Sequence, residues 1–143
     1  MFIGEFQHNI DVKGRVAVPA KFRQQLGTGA IITRGLDGCL FVYTAKEWEL
    51  LAEKIKSMSL LKSDARAFAR LMFAGAVDVD IDSQGRILVP EYLRKYANLN
   101  KETFITGLFN RFEIWDKENW KKYKSKTESS SDDIAEKLGE LGI

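Results

Sequence analysis

Apolar residues recur along this chain at two spacings, and each change of spacing marks a new element. Phe6–Ile10 reads as a short strand and Arg15-Val16-Ala17-Val18 as its return, with β-branched side chains suited to a pleated surface. Between them stands Asp11-Val12-Lys13-Gly14. Aspartate opens turns by accepting a hydrogen bond from the backbone two residues on. Glycine supplies the positive φ of a hairpin turn or bulge. Pro19 stops the ladder and pre-sets φ for a first helical position. Phe22 and Leu26, four apart, then share one face of a short helix. Gly27 is expected to end it in the left-handed conformation, a role open to Asn98 later in the chain. Ile31–Tyr43 and Phe104–Trp115 each read as a strand pair.

Helical spacing returns with Trp48, Leu51, Ala52 and Ile55, behind a capping box from Thr44 to Glu47. Ser57–Lys62 breaks the pattern, and Ser63 or Asp64 is expected to cap a second helix. That helix carries Ala65, Phe68, Ala69 and Met72 on one face. Both stripes read as core. Asp116 can cap a further helix bearing Trp120 and Tyr123. Lys124–Asp133 is polar and Ser-rich, which predicts a mobile stretch. Ile134, Leu138 and Leu141 stand at i, i+4 and i+7, enough for a short helix that docks on a neighbour.

The elements are written twice. A shift of 71 lays Asp11 on Asp82, Gly14 on Gly85, Arg15 on Arg86, Pro19 on Pro90 and Arg23 on Arg94. The same shift lays Met1–Asp11 on Met72–Asp82; slightly larger shifts carry Ile32-Thr33 to Ile105-Thr106 and Trp48 to Trp120. A duplicated unit of strand, turn, strand, helix and strand pair makes the fold α+β. A unit of about seventy residues buries little surface alone, so the copies are expected to share one core as a pseudo-twofold body. The division is residues 1–71 for the first repeat with its connecting helices, 72–127 for the second with its following helix, and 128–143 for an acidic tail.

Charge sharpens that division. The net charge is only +2, but residues 1–127 hold 21 Lys and Arg against 15 Asp and Glu, and residues 128–143 hold one Lys against five acids. A basic body suits a polyanionic partner. Lys117, Lys121, Lys122, Lys124 and Lys126 crowd one helix, whose first reading is a solvated face and whose second is a phosphate contact. The one cysteine, Cys39, lies in an apolar run and reads as a buried small hydrophobe. No apolar run reaches the length of a membrane span. The first residues already belong to the repeat, leaving none for a signal peptide. A soluble, cytoplasmic protein is expected.

Catalytic chemistry is sparse. One histidine, His8, and one cysteine give no metal set, and neither a Gly-rich phosphate loop nor a nucleophile elbow is present. Asp78, Asp80 and Asp82 alternate along a strand and read as exposed edge carboxylates. No enzyme activity, cofactor, metal or small-molecule substrate is expected. The Asp-x-x-Gly-Arg turn has two readings. Asp and Arg can simply tie a turn together. Two copies related by a twofold, however, set Arg15 and Arg86 as a spaced pair on one surface, each a planar fork matched to phosphate oxygens or a guanine edge. Lys13 and Gln84 sit at equivalent turn tips, one a charge and one an amide able to read adenine.

DVKGRVAVPAKFRQQL and DSQGRILVPEYLRKYA resemble the swapped-hairpin module of the AbrB family of DNA-binding proteins, with its hallmark DxxGRxxxPxxxR. The tandem arrangement, with MFIGE at the start and FNRFEIW near the end, is similar to the MraZ family. The resemblance implies two tandem swapped-hairpin β-α-β repeats forming one pseudo-twofold β-barrel, with further helices between and after them. It implies a nucleoid-associated regulator, a repressor, acting on double-stranded promoter DNA of a bacterial division and cell-wall gene cluster. It also implies a ring-shaped homo-oligomer. The DNA-facing residues it implies are Arg15 and Arg23, with Arg86 and Arg94 in the second copy; Lys13, Lys21 and Gln84 are expected to bind DNA beside them, and Asp11, Gly14, Asp82 and Gly85 to shape the turns. Lys21 becomes Tyr92 in the second copy and Asp78 and Asp80 add acid, so the first copy carries more weight. Fused, unequal halves predict short direct repeats in the DNA. The alternative is an antitoxin-like or structural swapped-hairpin protein that binds a protein partner.

Overall fold

The computed structural model describes residues 1–142. The first copy gives β1 (Phe2–Asn9), β2 (Arg15–Ala17), α1 (Ala20–Leu26), β3 (Gly29–Arg34) and β4 (Leu40–Tyr43). Helices α2 (Ala45–Lys56) and α3 (Ser63–Ala69) and a π-helical segment, Arg70–Ala74, lead to the second copy. There follow β5 (Val77–Asp80), β6 (Arg86–Leu88), α4 (Glu91–Tyr96), β7 (Glu102–Phe109) and β8 (Phe112–Asp116). Helices α5 (Lys117–Ser129) and α6 (Ser131–Lys137) and a 3₁₀ turn close the chain.

Six strands form one antiparallel sheet in the order β1-β7-β8-β4-β3-β5. Exchanging each strand for its counterpart in the other copy reverses this order and leaves it unchanged. The pseudo-twofold therefore passes between β8 and β4. β1 pairs along its whole length with β7 of the other copy, from Phe2 opposite Phe109 to Asn9 opposite Glu102. β5 pairs likewise with β3. The remaining strands, β2 and β6, form a ribbon with Val16 opposite Ile87.

The expected local hairpin is thus opened out. A single bridge, Ile10 to Val16, joins β1 to β2. Folding β2 back on β1, and β6 back on β5, would leave β2 and β6 unpaired with each other. Crossing the copies pairs them and brings Val16 and Ile87 together, both fully buried. Around them pack Val18, Val89, Leu93 and the rings of Phe2, Phe22 and Phe112, with centroids 5.0–5.4 Å apart. Edge-to-face and offset aromatic pairs at such separations add to simple burial. β4 alternates: Leu40 and Val42 join this core, while Phe41 and Tyr43 meet Cys39, Ile55, Met72 and Trp115 in a second cluster beneath the connecting helices.

Several boundaries depart from the sequence reading. Pro19 and Pro90 stand one position before their helices, not inside them. Gly27 has positive φ (69°) but ψ of −120°, so it leaves the helix without entering the left-handed helical region, whereas Asn98 has φ of 51°. Lys62 precedes α3, and neither Ser63 nor Asp64 caps it. Phe73 matches the strand residue Phe2 of the first copy but belongs with Met72 to the π-helical segment, because Met72 completes the apolar stripe and is buried with it. Lys124–Asp133, read as mobile, is helical apart from the bend at Ser130. Trp120 and Tyr123 pack tilted against Trp115 with centroids at 5.3 and 5.1 Å, and Glu5 holds Lys124, so an anchored helix propagates through the polar stretch.

The helix caps at Thr44 and Asp116 stand as expected: Thr44 accepts from the Glu47 amide at 3.1 Å and Asp116 from the Asn119 amide at 3.2 Å. Asp116→Ala should lower the unfolding free energy by about 1 kcal/mol, seen as a fall of roughly 2–4 °C in Tm. A Tm equal to that of the parent would show that the cap contributes nothing.

Candidate nucleic-acid interface

Each turn is built around one carboxylate. Asp11 Oδ1 accepts from the amides of Lys13 and Arg15 at 3.0 and 2.8 Å, and its Oδ2 accepts from Arg15 Nε at 2.7 Å. In the second copy Asp82 Oδ1 accepts from the Gln84 and Arg86 amides, both at 2.9 Å, and Oδ2 from Arg86 Nε at 2.8 Å. The turn-tying reading of Asp and Arg is therefore correct in both copies. It does not exhaust the arginines. A guanidinium has five N–H groups in a fixed fork, so spending Nε on the turn leaves the Nη groups and fixes their direction.

The ribbon brings the two turns to one face. Val16 and Ile87 point inward, so alternation turns Arg15, Ala17, Arg86 and Leu88 outward. Arg86 Nη1 lies 3.9 Å from Asp11 Oδ2, across the copies. The copies also lock by their backbones: the Val18 amide donates to Gly85 O at 2.9 Å and the Val89 amide to Gly14 O at 2.8 Å. The helical arginines complete the lock. Arg23 donates to Val18 O at 2.9 Å, Arg94 donates to Val89 O, and each guanidinium lies against the turn glycine of the opposite copy.

Glycine is needed twice over at these two positions. Gly14 and Gly85 have φ of 90° and 77°, and a side chain on either would enter the space of Arg94 or Arg23. Nothing in the sequence spacing reveals this cross-copy partnership. His8 sits near Arg23; burial first, and that positive charge second, hold its imidazole below the ordinary range.

Lys13 and Gln84 are exposed at the turn tips, and Lys21 is exposed on α1. Tyr92, at the position equivalent to Lys21, does structural work: its hydroxyl donates to Gly75 O at 2.8 Å and its ring lies 5.7 Å from the Arg34 guanidinium. Asp78 and Asp80 are exposed on β5, an edge strand. Of the expected set, Arg15, Arg86, Arg23 and Arg94 are thus brought together at the ribbon and its turns, and both lysines belong to the first copy. Val12, an apolar β-branched residue inside the first turn, is fully exposed at its tip.

Against this geometry stand the likenesses to known proteins. A family described as the MraZ protein, antitoxin-like, matches residues 1–71 and again 72–140. The chain belongs to the MraZ family. A "Transcriptional regulator MraZ" of Caldicellulosiruptor saccharolyticus is 53% identical over 143 residues, the full length of both chains. One from Desulforamulus reducens is 52% identical over 141 residues, 99% of each, and one from Pelotomaculum thermopropionicum is 52% identical over 143 residues, covering 99% of that protein. Among the described residues no helix is long and apolar enough to cross a membrane, and no group of three or more His, Cys, Asp or Glu is placed to hold a metal ion.

The turn carboxylates of this MraZ chain carry a pH signature. The amide of Arg15 or Arg86, and then that residue's side chain, hold Asp11 and Asp82 below the ordinary carboxylate range. A carboxylate more acidic in the folded than in the unfolded chain adds stability above its unfolded pKa, about 3.9. That contribution is lost as pH falls through the lower folded-state value. Tm should therefore drop below about pH 4, and the drop should be shallower in Asp11→Asn/Asp82→Asn. Parallel acid profiles for both proteins would contradict the turn electrostatics.

Proposed function

We propose that this chain is a transcriptional regulator and not an enzyme, binding duplex DNA in a sequence-specific manner through the face formed by its two Asp-x-x-Gly-Arg turns. The observation that carries the reading is the cross-copy lock, in which Arg15, Arg86, Arg23 and Arg94 converge on one ribbon with Lys13 at its first turn. The relatives named as transcriptional regulators support it. Lys13 and Lys21 supply phosphate charge, and the turn arginines present Nη forks to base edges. Gln84 in place of Lys13, and Asp11 beside the Arg86 Nη1 as well as Asp82 on its Nε, make the second copy the weaker contact.

The finer reading is repression at the promoter of a division and cell-wall gene cluster, by a nucleoid-associated ring of identical subunits. Each subunit contains its own pseudo-dimer with unequal turn tips, so it has a direction. Subunits joined head to tail would meet short direct repeats about 10–10.5 bp apart, one helical turn. Footprinting on the DNA upstream of the protein's own gene tests this. Protection of spaced direct repeats is expected, with affinity falling steeply as salt rises. Protection unchanged by inverting one repeat or moving it half a turn would end the direct-repeat reading. Absence of any salt-sensitive duplex binding would favour a protein partner instead.

A further inference from the structure

The two copies differ in the loop that follows the short helix. The Ile10 amide donates to Lys101 O at 2.8 Å, and the Ile81 amide donates to Thr28 O at 3.0 Å, so Lys101 stands where Thr28 does. Gly27 and Asn98, 71 apart and both at positive φ, leave the equivalent helices. Thr28 follows Gly27 directly, whereas Leu99 and Asn100 intervene before Lys101. The two extra residues are held in place: the Leu99 amide donates to Arg94 O at 2.9 Å and Asn100 Nδ2 to Asp116 Oδ1 at 3.4 Å. They help to wall a hollow of about 520 Å³ beside the first turn. Its lining is apolar at Ile10, Val12 and Leu99 and polar at Arg94, Asn100, Lys101 and Asp11. The crossed strands thus set a second-copy lysine beside the first-copy turn.

The carboxylates in and next to this hollow are already engaged. Asp11 is held by Arg15 at 2.7 Å, Glu91 by Lys95 at 3.1 Å and Glu102 by Lys117 at 3.3 Å, while Asp116 accepts from the Asn119 amide at 3.2 Å. Lys101 is exposed and, among the described residues, enters no ion pair. We infer that the hollow seats the sugar-phosphate backbone of duplex DNA, with Lys101 neutralising a phosphate at the edge of the first turn and Val12 and Leu99 against the deoxyribose. The inference rests on the DNA-binding reading above and adds to it a contact from the second copy. A lysine is a compact charge on a flexible stem, suited to holding phosphate without reading sequence. The other turn has no such helper: Thr28 is uncharged, and exposed Asp80 pairs with Gly29 beside it. The second copy therefore strengthens the grip of the first turn.

The test titrates the full chain against the footprinted duplex and a scrambled one at several salt concentrations, with thermal melts as a check on folding. Lys101→Gln keeps most of the stem and removes the charge. It should weaken both duplexes alike, by about eightfold near 0.1 M salt, and lower the slope of log affinity against log salt by about 0.9. Lys101→Arg should restore both. Lys46→Gln, on α2 and so on the other face of the sheet, should change neither. Methylphosphonates, which neutralise one phosphate at a time, localise the contact. One position should weaken the parent and leave Lys101→Gln unaffected. If Lys101→Gln does not fold, Lys101→Met replaces it. A parental slope in Lys101→Gln overturns the contact and leaves the DNA reading standing. So does an equal loss in Lys46→Gln, or a methylphosphonate scan that costs both proteins the same at every position. A parent with no salt-sensitive duplex binding overturns the DNA reading and the contact with it.

Discussion

Gly14→Val should be among the most damaging single changes to both stability and DNA binding. Forcing a β-branched residue to φ of 90° costs about 1–3 kcal/mol in backbone strain alone. The new side chain would also stand 2.8 Å from the Val89 carbonyl oxygen and inside the space of the Arg94 guanidinium. Evicting Arg94 forfeits its hydrogen bond to that carbonyl, a further loss of about 1 kcal/mol. Tm should fall by several degrees, at roughly 2–4 °C per kcal/mol for a chain of this size. The informative feature is which arginine responds. Gly14→Ala should couple to Arg94→Ala in a double-mutant cycle, and Gly85→Ala to Arg23→Ala. Coupling of Gly14 to Arg23 within its own copy would contradict the crossed lock.

Arg15→Ala should leave the fold intact and remove about 1–3 kcal/mol of discrimination at one base pair. Its Nε is committed to Asp11, whose charge offsets its own, so its role lies in the direction of the remaining fork. Lys13→Ala should act differently. It should weaken all duplexes alike and lower the slope of log affinity against log salt by about one. Arg86→Ala should cost less than Arg15→Ala, because its turn tip carries Gln84 where the first carries Lys13. Asp11→Asn separates charge from direction: releasing Arg15 should raise affinity for bulk DNA while lowering discrimination. Titrations of matched and mismatched operators at several salt concentrations measure all four. If Arg15→Ala weakened every sequence equally, base reading by Arg15 would be wrong.

Local chemistry was legible in the sequence. Asp11 and Asp82 build the expected turns, Thr44 and Asp116 cap their helices, and Phe22 and Leu26 bury the predicted face of α1. The repeat announced a shared core. What the sequence could not give is the exchange of partners between copies. The pattern that makes Arg15–Val18 a strand says nothing of which strand it meets, because hydrogen-bond pairing is blind to sequence distance. For the same reason Gly14 read as a turn residue only, and its second duty under Arg94 stayed hidden. Composition misled at Lys124–Ser129, where tertiary anchoring of Trp120 and Tyr123 overrode a Ser-rich, polar stretch.

The pairing of β1 with β7 also bears on how the chain can be made. Phe2 meets Phe109, so the N-terminal strand has no permanent partner until the second copy has left the ribosome. At about 5–20 residues per second, synthesis of the intervening chain lasts roughly 5–20 s. Through that interval the first copy carries an unpaired strand and an open apolar face, and two nascent first copies on one polysome offer each other the same edges that β7 and β6 will later fill. The duplication that joined two copies in one gene makes the correct partner arrive on the same chain, at high local concentration, before a stranger can take its place.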